Sequence, residues 1–451
     1  MTDKKIDQYQ RGKAIPSGRA SRAANLASLA SSLAGGIVAE GVSQLAKGRR
    51  PEIKDLLLTP NNARRLADKL MKLRGAALKV GQLLSMDAGE FIPKELSDIL
   101  ARLRDNVEPM PFSQLVQRLE AEWGEDWPDR FSQFSYTPIA AASIGQVHSA
   151  HTIEREKVAL KIQYPGVDQS IDSDVDNVAT LLRVSGLIPK ESDIDTLLTE
   201  TKQQLKTETD YIQEAEWMRL YQQALSEQPE FVVPNVYEAL TSKTILTMSY
   251  HDGLKMDEIT HLPQDEKNRI ARLLLRLLLK EMFDMQCVQT DPNLANFLYD
   301  QDSKKIVLLD FGAVRKLPAK VSDAYLQLMS ASTYNDKTAI NRACEEIGFF
   351  QQEIADPQRD MIIDLFQMAC EPLRHNKEYD FGNSKLATSI TQSAGDISLK
   401  RDRWHTPPAD ALFLHRKIAG MYLLAAKLNA KVNVAELFKE HLKTSTPIPA
   451  N

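Results

Sequence analysis

The order of three short motifs constrains this chain more than anything in its composition. In "KVALKIQ" the residues around Lys161 alternate in the manner of a strand, and in "QTDPNLANFLYD" Asp291 and Asn296 stand five residues apart. Fourteen residues after Asn296, the apolar run of "VLLDFGAV" ends in Asp310-Phe311-Gly312. A lysine fixed on a strand by apolar neighbours can meet phosphates as a point charge. A carboxylate at a strand end, joined by an amide oxygen, supplies the hard ligands that magnesium uses when it bridges phosphates. Asp291 is then placed to accept a proton or to orient an attacking group. Taken singly, each feature has an ordinary alternative: a solvent-facing lysine on an edge strand, a polar loop, a tight turn.

Together, and in this order, they have the spacings of a kinase-like nucleotide site: a Val-Ala-Ile-Lys strand, an Asp-x-x-x-x-Asn loop and Asp-Phe-Gly. Upstream, "PIAAASIGQVHSA" occupies the place of a phosphate-cradling glycine loop. The glycine positions of such a loop hold Ala140, Ala142 and Gly145, with Ala141 and Ser143 filling the turn. Alone this is a weak signal, because small residues are common in strand turns. An acidic partner for Lys161 is expected in "TETDYIQEAEWM". Asp210 and Glu214, four apart, are read as sharing one helix face, with Glu208 pointing elsewhere. Any of the three has solvent as its alternative partner. The long separation of Lys161 from Glu214 implies inserted helices in the small lobe.

The chain has 451 residues, more than one ordinary core requires, so two lobes are expected. A net charge of −5 gives no bulk electrostatic case for nucleic acid. The cysteines, Cys287, Cys344 and Cys370, are too scattered for a disulfide framework or a metal cluster and suit a reducing compartment. Residues 1–50 read as a small-residue leader. Its stretch "AANLASLASSLAGGIVA" is either an interfacial membrane helix or a helix docked on its own protein. Residues 51–135 read as a helical extension, 136–253 as a small lobe with inserted helices, and 254–451 as a large, mainly helical lobe. "FVVPNVYEAL" and "KTILTMSYHDG" read as strands, and "EKNRIARLLLRLLLKEMFDM" as a buried helix.

These residues resemble the UbiB family of atypical kinase-like proteins, also called the AarF group. The resemblance rests on "KVGQ" (Lys79, Val80, Gly81, Gln82), on "AAAS" (Ala140 to Ser143) and on "ETD" (Glu208 to Asp210). Its coenzyme Q biosynthesis branch is the nearest in wording, through "AAASIGQVH", "KIQYPGV", "QTDPN" and "LLDFGA". The resemblance implies an α+β, bilobal protein-kinase-like fold with an N-terminal helical extension over the active site. Lys79, Gly81 and Gln82 would reach toward the nucleotide pocket, and Glu208 and Asp210 would engage the extension. Glu214 would be the ion-pair partner of Lys161, and Met248, Ser249, Tyr250 and His251 the hinge that meets the adenine. It also implies ATP or ADP with Mg2+ as cofactors and a role in ubiquinone biosynthesis.

The expectation is therefore an atypical kinase or ATPase that binds Mg-nucleotide through Ala140–Ser143, Gly145 and Lys161, with Asn296 and Asp310 on the metal and Asp291 at the nucleophile. Isoprenoid quinone precursors and quinone-biosynthesis proteins are its expected partners. The expected place is cytoplasmic, peripheral on the inner face of a membrane. Two rivals stand beside it: a Ser/Thr protein kinase, and a lipid-handling scaffold that uses nucleotide as a switch. Against the first, "DFGAVRKLPAKVSDAY" runs into helix without an Ala-Pro-Glu landmark.

Overall fold

The computed structural model describes residues 109–184, 195–291, 293–350, 356–386, 388–390 and 409–444. The leader at 1–50 and the motif residues Lys79, Gly81 and Gln82 lie outside the described residues. The described chain divides into two compact units. One takes 109–216 and 235–250, and the other takes 217–234 and the residues from 251 onward.

The first unit is built on helix α1 (Phe112–Trp123) and a five-stranded antiparallel sheet. Leu115, Leu119 and Trp123 recur at four-residue steps, so one face of α1 is apolar and buried. The helix ends at Gly124, whose φ of +82° favours glycine and whose N–H donates to Glu120 O. The sheet runs β1 (Phe131–Phe134), β3 (Gly145–Thr152), β4 (Lys157–Gln163), β6 (Ile245–Ser249), with the two-residue β2 (Ala140–Ala141) also paired to β3. Val158, Leu160 and Ile162, alternate residues of β4, join the α1 residues with Trp127, Phe131 and Ile245 in one core. After β4 come α2 (Val167–Val184), α3 (Asp195–Glu208) and the start of α4 (Tyr211–Ala224), the helices expected between Lys161 and Glu214.

Two local expectations change. Asp210 and Glu214 do not share a helix, because α3 ends at Glu208 and α4 begins at Tyr211. Asp210 instead caps α4, its Oδ1 accepting Gln213 N–H at 3.1 Å. An aspartate satisfies the orphan donors of a first turn better than it serves a helix interior. "FVVPNVYEAL" is likewise not one strand. β5 is only Phe231–Val232, and Pro234, with fixed φ and no donor, interrupts the ladder. Val236 then bridges Met248, and Glu238–Leu240 form a 3-10 turn.

The second unit centres on α5 (Gln264–Leu279), which begins after Pro263 with Asp265 and Glu266 in its first turn. Its start, Gln264 to Arg269, is polar, whereas beyond it Ile270, Leu273, Leu274, Leu277 and Leu278 are buried and only Arg272 and Arg276 interrupt the apolar run. It continues into a π turn, Lys280–Asp284. β7 (Leu254–Lys255), β8 (Cys287–Gln289), β9 (Phe297–Asp300), β10 (Lys305–Leu308) and β11 (Val314–Lys316) form two small sheets. One runs β5-β10-β9-β7 and the other pairs β8 with β11. Helices α6 (Ala319–Thr333), α7 (Lys337–Ile347), α8 (Asp356–Ala369), α9 (Ala409–Lys427) and α10 (Val434–Thr444) follow, and α9 and α10 pack on α5.

Candidate active site

In the first unit the chemistry collects on β4. Lys161 stands between Val147 of β3 and Leu246 of β6, so neighbours on both sides fix its strand. Its Nζ lies 2.8 Å from Glu214 Oε1 and 2.9 Å from Oε2, with both side chains largely buried. The structure thus brings Lys161 to Glu214, on the first turns of α4. A two-oxygen contact of this kind is the strong form of a charge-assisted hydrogen bond. The Tyr211 ring lies 5.2 Å from the ammonium, within reach of a cation–π contact.

The alanine-rich stretch is a hairpin. Ala140 pairs with Val147 and Ala141 with Gln146, while Ala142 N–H donates to Gly145 O at 3.0 Å to close the turn. Ala140 and Ala141 are exposed, and none of Ala140, Ala141, Ala142 and Ser143 has a positive φ. Gly145 has a reason of its own. A Cβ there would sit 2.2 Å from Ile162 O, so only glycine lets β3 lie this close to β4. Strand packing therefore requires glycine at this position whatever the turn binds.

Met248 is buried on β6, opposite Ala159. The hinge residues after it are already engaged: Ser249 N–H donates to Asn235 O at 2.8 Å and Tyr250 N–H to Lys157 O at 3.0 Å. Adenine would therefore have to use other groups than these two amides. His251 belongs to the second unit, where burial lowers its pKa against the pull of Asp300. Glu208 is buried at the last residue of α3.

In the second unit the turn before β9 and the β9–β10 hairpin gather three motif residues. Asp291 Oδ1 accepts Asn293 N–H at 3.2 Å, and Asn296 Nδ2 donates to Asp291 O at 3.4 Å. Phe297 pairs with Leu308, and Leu309 N–H donates to Asn296 O at 2.9 Å. The hairpin therefore sets Asn296 at the end that also carries Asp310. The Asp310 carboxylate accepts Gly312 N–H at 2.9 Å, which holds the Asp-Phe-Gly turn. Because the Asn296 amide nitrogen faces Asp291 O, its oxygen is the atom left for a cation. One carboxylate and one amide oxygen fit magnesium, which takes few protein oxygens and keeps the rest for water and phosphate.

Three groups of polar contacts near these motifs are not marked by the motifs themselves. Gln163 Nε2 donates to Thr209 O at 2.8 Å, which ties the "ETD" segment to the end of β4. Gln146 accepts Met110 N–H at 2.8 Å and contacts His148 Nε2 at 2.7 Å, while His148 Nδ1 meets Ser135 O at 2.8 Å. Burial pulls the His148 pKa down to about 4, so the ring is neutral in this chain of contacts. Glu281 and Lys417 form an ion pair inside the second unit. Gln146 and His148 share the parity of β3 that is buried, whereas Gln163 lies off the Val158-Leu160-Ile162 alternation of β4 and no sequence signal marked it.

Comparison with known proteins adds what geometry alone does not carry. Residues 102–344 match the ABC1 atypical kinase-like domain. The atypical kinase COQ8, mitochondrial, of Saccharomyces cerevisiae is 37% identical over 95% of this chain and 86% of its own. The atypical kinase COQ8B, mitochondrial, of Rattus norvegicus is 35% identical over 99% of this chain and 85% of its own. Among solved structures, a complex of Rv3197 with erythromycin from Mycobacterium tuberculosis is similar with a TM-score of 0.59 and 26% identity, covering 85% of this chain and 96% of that one. The α+β, kinase-like class of the fold agrees with these likenesses.

Proposed function

The chain belongs to the ABC1 atypical kinase-like family, and on that premise we propose that it binds a magnesium adenine nucleotide and hydrolyses it or transfers its phosphoryl group to a small molecule. The pathway served is isoprenoid quinone (coenzyme Q) synthesis. The observation that carries the reading is the buried, two-oxygen contact between Lys161 and Glu214, an arrangement that orients an ammonium toward phosphates. Asp291 orients the attacking oxygen, and Asn296 with Asp310 would hold the metal. Magnesium, when bound, neutralises charge that builds on the phosphates. The protein's own part is positioning: β4 fixes the lysine, the β9–β10 hairpin fixes the ligand oxygens, and the alanine hairpin limits backbone approach to the nucleotide.

A small acceptor is favoured over a peptide. Only residues 313–318 separate Gly312 from α6, and Val314–Lys316 of these are committed to pairing with β8. Little chain is left to form a peptide-docking segment. Membrane contact in this reading is peripheral; no described helix is long and apolar enough to cross a membrane. The test is complementation of a quinone-deficient host with wild type and Asp310→Asn. Rescue by wild type and none by Asp310→Asn is expected, whereas equal rescue would move the reading to a scaffold that needs no metal chemistry.

A further inference from the structure

The second unit buries a charged network that the nucleotide reading does not use. At the end of α5 the π turn carries Glu281 into the interior, where it is 1% exposed. Lys417, from α9, places Nζ 3.5 Å from Glu281 Oε2, and its side chain is 2% exposed. The Tyr221 hydroxyl donates to Glu281 Oε1 at 2.8 Å and lies 3.2 Å from Cys287 O. Gln289 N–H points to the same Oε1 at 3.4 Å. The carboxylate is thereby tied to both ends of β8, and the next two residues after β8 are Thr290 and Asp291. On its other side, the Tyr221 ring meets the Phe311 ring at 4.9 Å in an edge-to-face contact. Phe311 is the neighbour of Asp310.

Such a network needs a reason. Sealing an ammonium and a carboxylate from water costs desolvation that their attraction repays poorly, and well-packed apolar residues often serve stability as well or better. Burial raises the Glu281 pKa although Lys417 and Tyr221 both oppose it, and burial also raises that of Tyr221. π turns within helices concentrate at functional sites, since the extra residue re-aims a side chain. Here the re-aimed side chain is the one that reaches β8.

We propose that Glu281 and Lys417 are a positioning pair which, through Tyr221 and the backbone of β8, holds Asp291 and the Asp310-Phe311 turn in register for the magnesium nucleotide. The proposal rests on the nucleotide reading above. It separates position from stability, because an apolar pair can restore packing without restoring the ties to Tyr221 and Gln289 N–H.

The experiment uses the full chain as wild type, Glu281→Leu, Lys417→Met, and the double variant Glu281→Leu/Lys417→Met. Melting temperature is read beside the affinity for ADP with magnesium and with the metal chelated. The single variants should melt lower. The double variant should melt near wild type, yet its gain in ADP affinity on adding magnesium should fall about tenfold. A double variant with the wild-type magnesium gain overturns the positioning role while leaving the nucleotide reading intact. A wild type that binds no nucleotide overturns both. If the double variant does not fold, Tyr221→Phe decides: loss of magnesium gain with metal-free affinity retained supports the proposal, and an unchanged gain overturns it.

Discussion

Each unit buries a lysine against a glutamate, and the two pairs are built differently. Lys161 meets both oxygens of Glu214 at 2.8 and 2.9 Å, and 11% of its side chain stays open. Lys417 stands 3.5 Å from one oxygen of Glu281, and neither side chain is more than 2% exposed. A lysine whose side chain stays partly accessible can offer its charge to a ligand as well as to its partner. A sealed pair can act only on the protein around it. Glu281 accordingly spends its other oxygen on Tyr221 and on the backbone of β8.

This contrast predicts where each pair fails. Glu214→Gln should lower magnesium-nucleotide turnover by about 1,000-fold, near the upper effect of one preorganised electrostatic group, with a smaller loss of melting temperature than Glu281→Gln. Turnover within threefold of wild type would break the contrast from the first side. Glu281→Gln leaves Lys417 buried without its carboxylate and should cost about 3 kcal/mol in denaturant titration. A loss below ~1 kcal/mol would show that the sealed pair is not sealed in solution.

Acid sharpens the comparison, because each unit also buries a neutral histidine. His148 in the first unit and His415 in the second are both held at about 4 by burial, from 6.5. A histidine depressed in the fold binds its proton more readily when unfolded, so stability is full above pH 6.5 and declines as pH falls toward 4. One such group should cost about 2 kcal/mol at pH 5. Replacing His148 with Gln should flatten that decline in urea titrations at pH 7 and pH 5; an unaltered slope would mean the ring is not buried neutral. Gly145→Ala should cost about 1–3 kcal/mol from crowding against Ile162 O. A larger change in nucleotide affinity than in stability would show that Gly145 serves the phosphate loop beyond its packing.

The legible part of this protein was the part written in short motifs. "VALK" and the alternation around it gave a central strand, and "NFLYD" with "KIVLLDFG" gave the β9–β10 hairpin that brings Asn296 to Asp310. What was misread depended on backbone accounting. Asp210 looked like a helical residue by spacing, but its side chain caps α4. Pro234 was visible in "FVVPNVYEAL", yet its break sends β5 to a parallel pairing with β10 that no local pattern announces. The packing need for glycine at Gly145 was equally hidden, because the contact that requires it, Ile162 O, belongs to another strand. Glu281 and Lys417 were invisible as partners, since they stand 136 positions apart and neither lies in a motif.

Calorimetric titration of ADP into the full chain decides whether Asp310 and Asn296 serve a magnesium nucleotide. With wild type, ADP should bind more tightly in magnesium than in chelator, and Asp310→Asn should keep the metal-free affinity while losing the gain. Equal affinities with and without magnesium in wild type, or an undiminished gain in Asp310→Asn, would contradict the account.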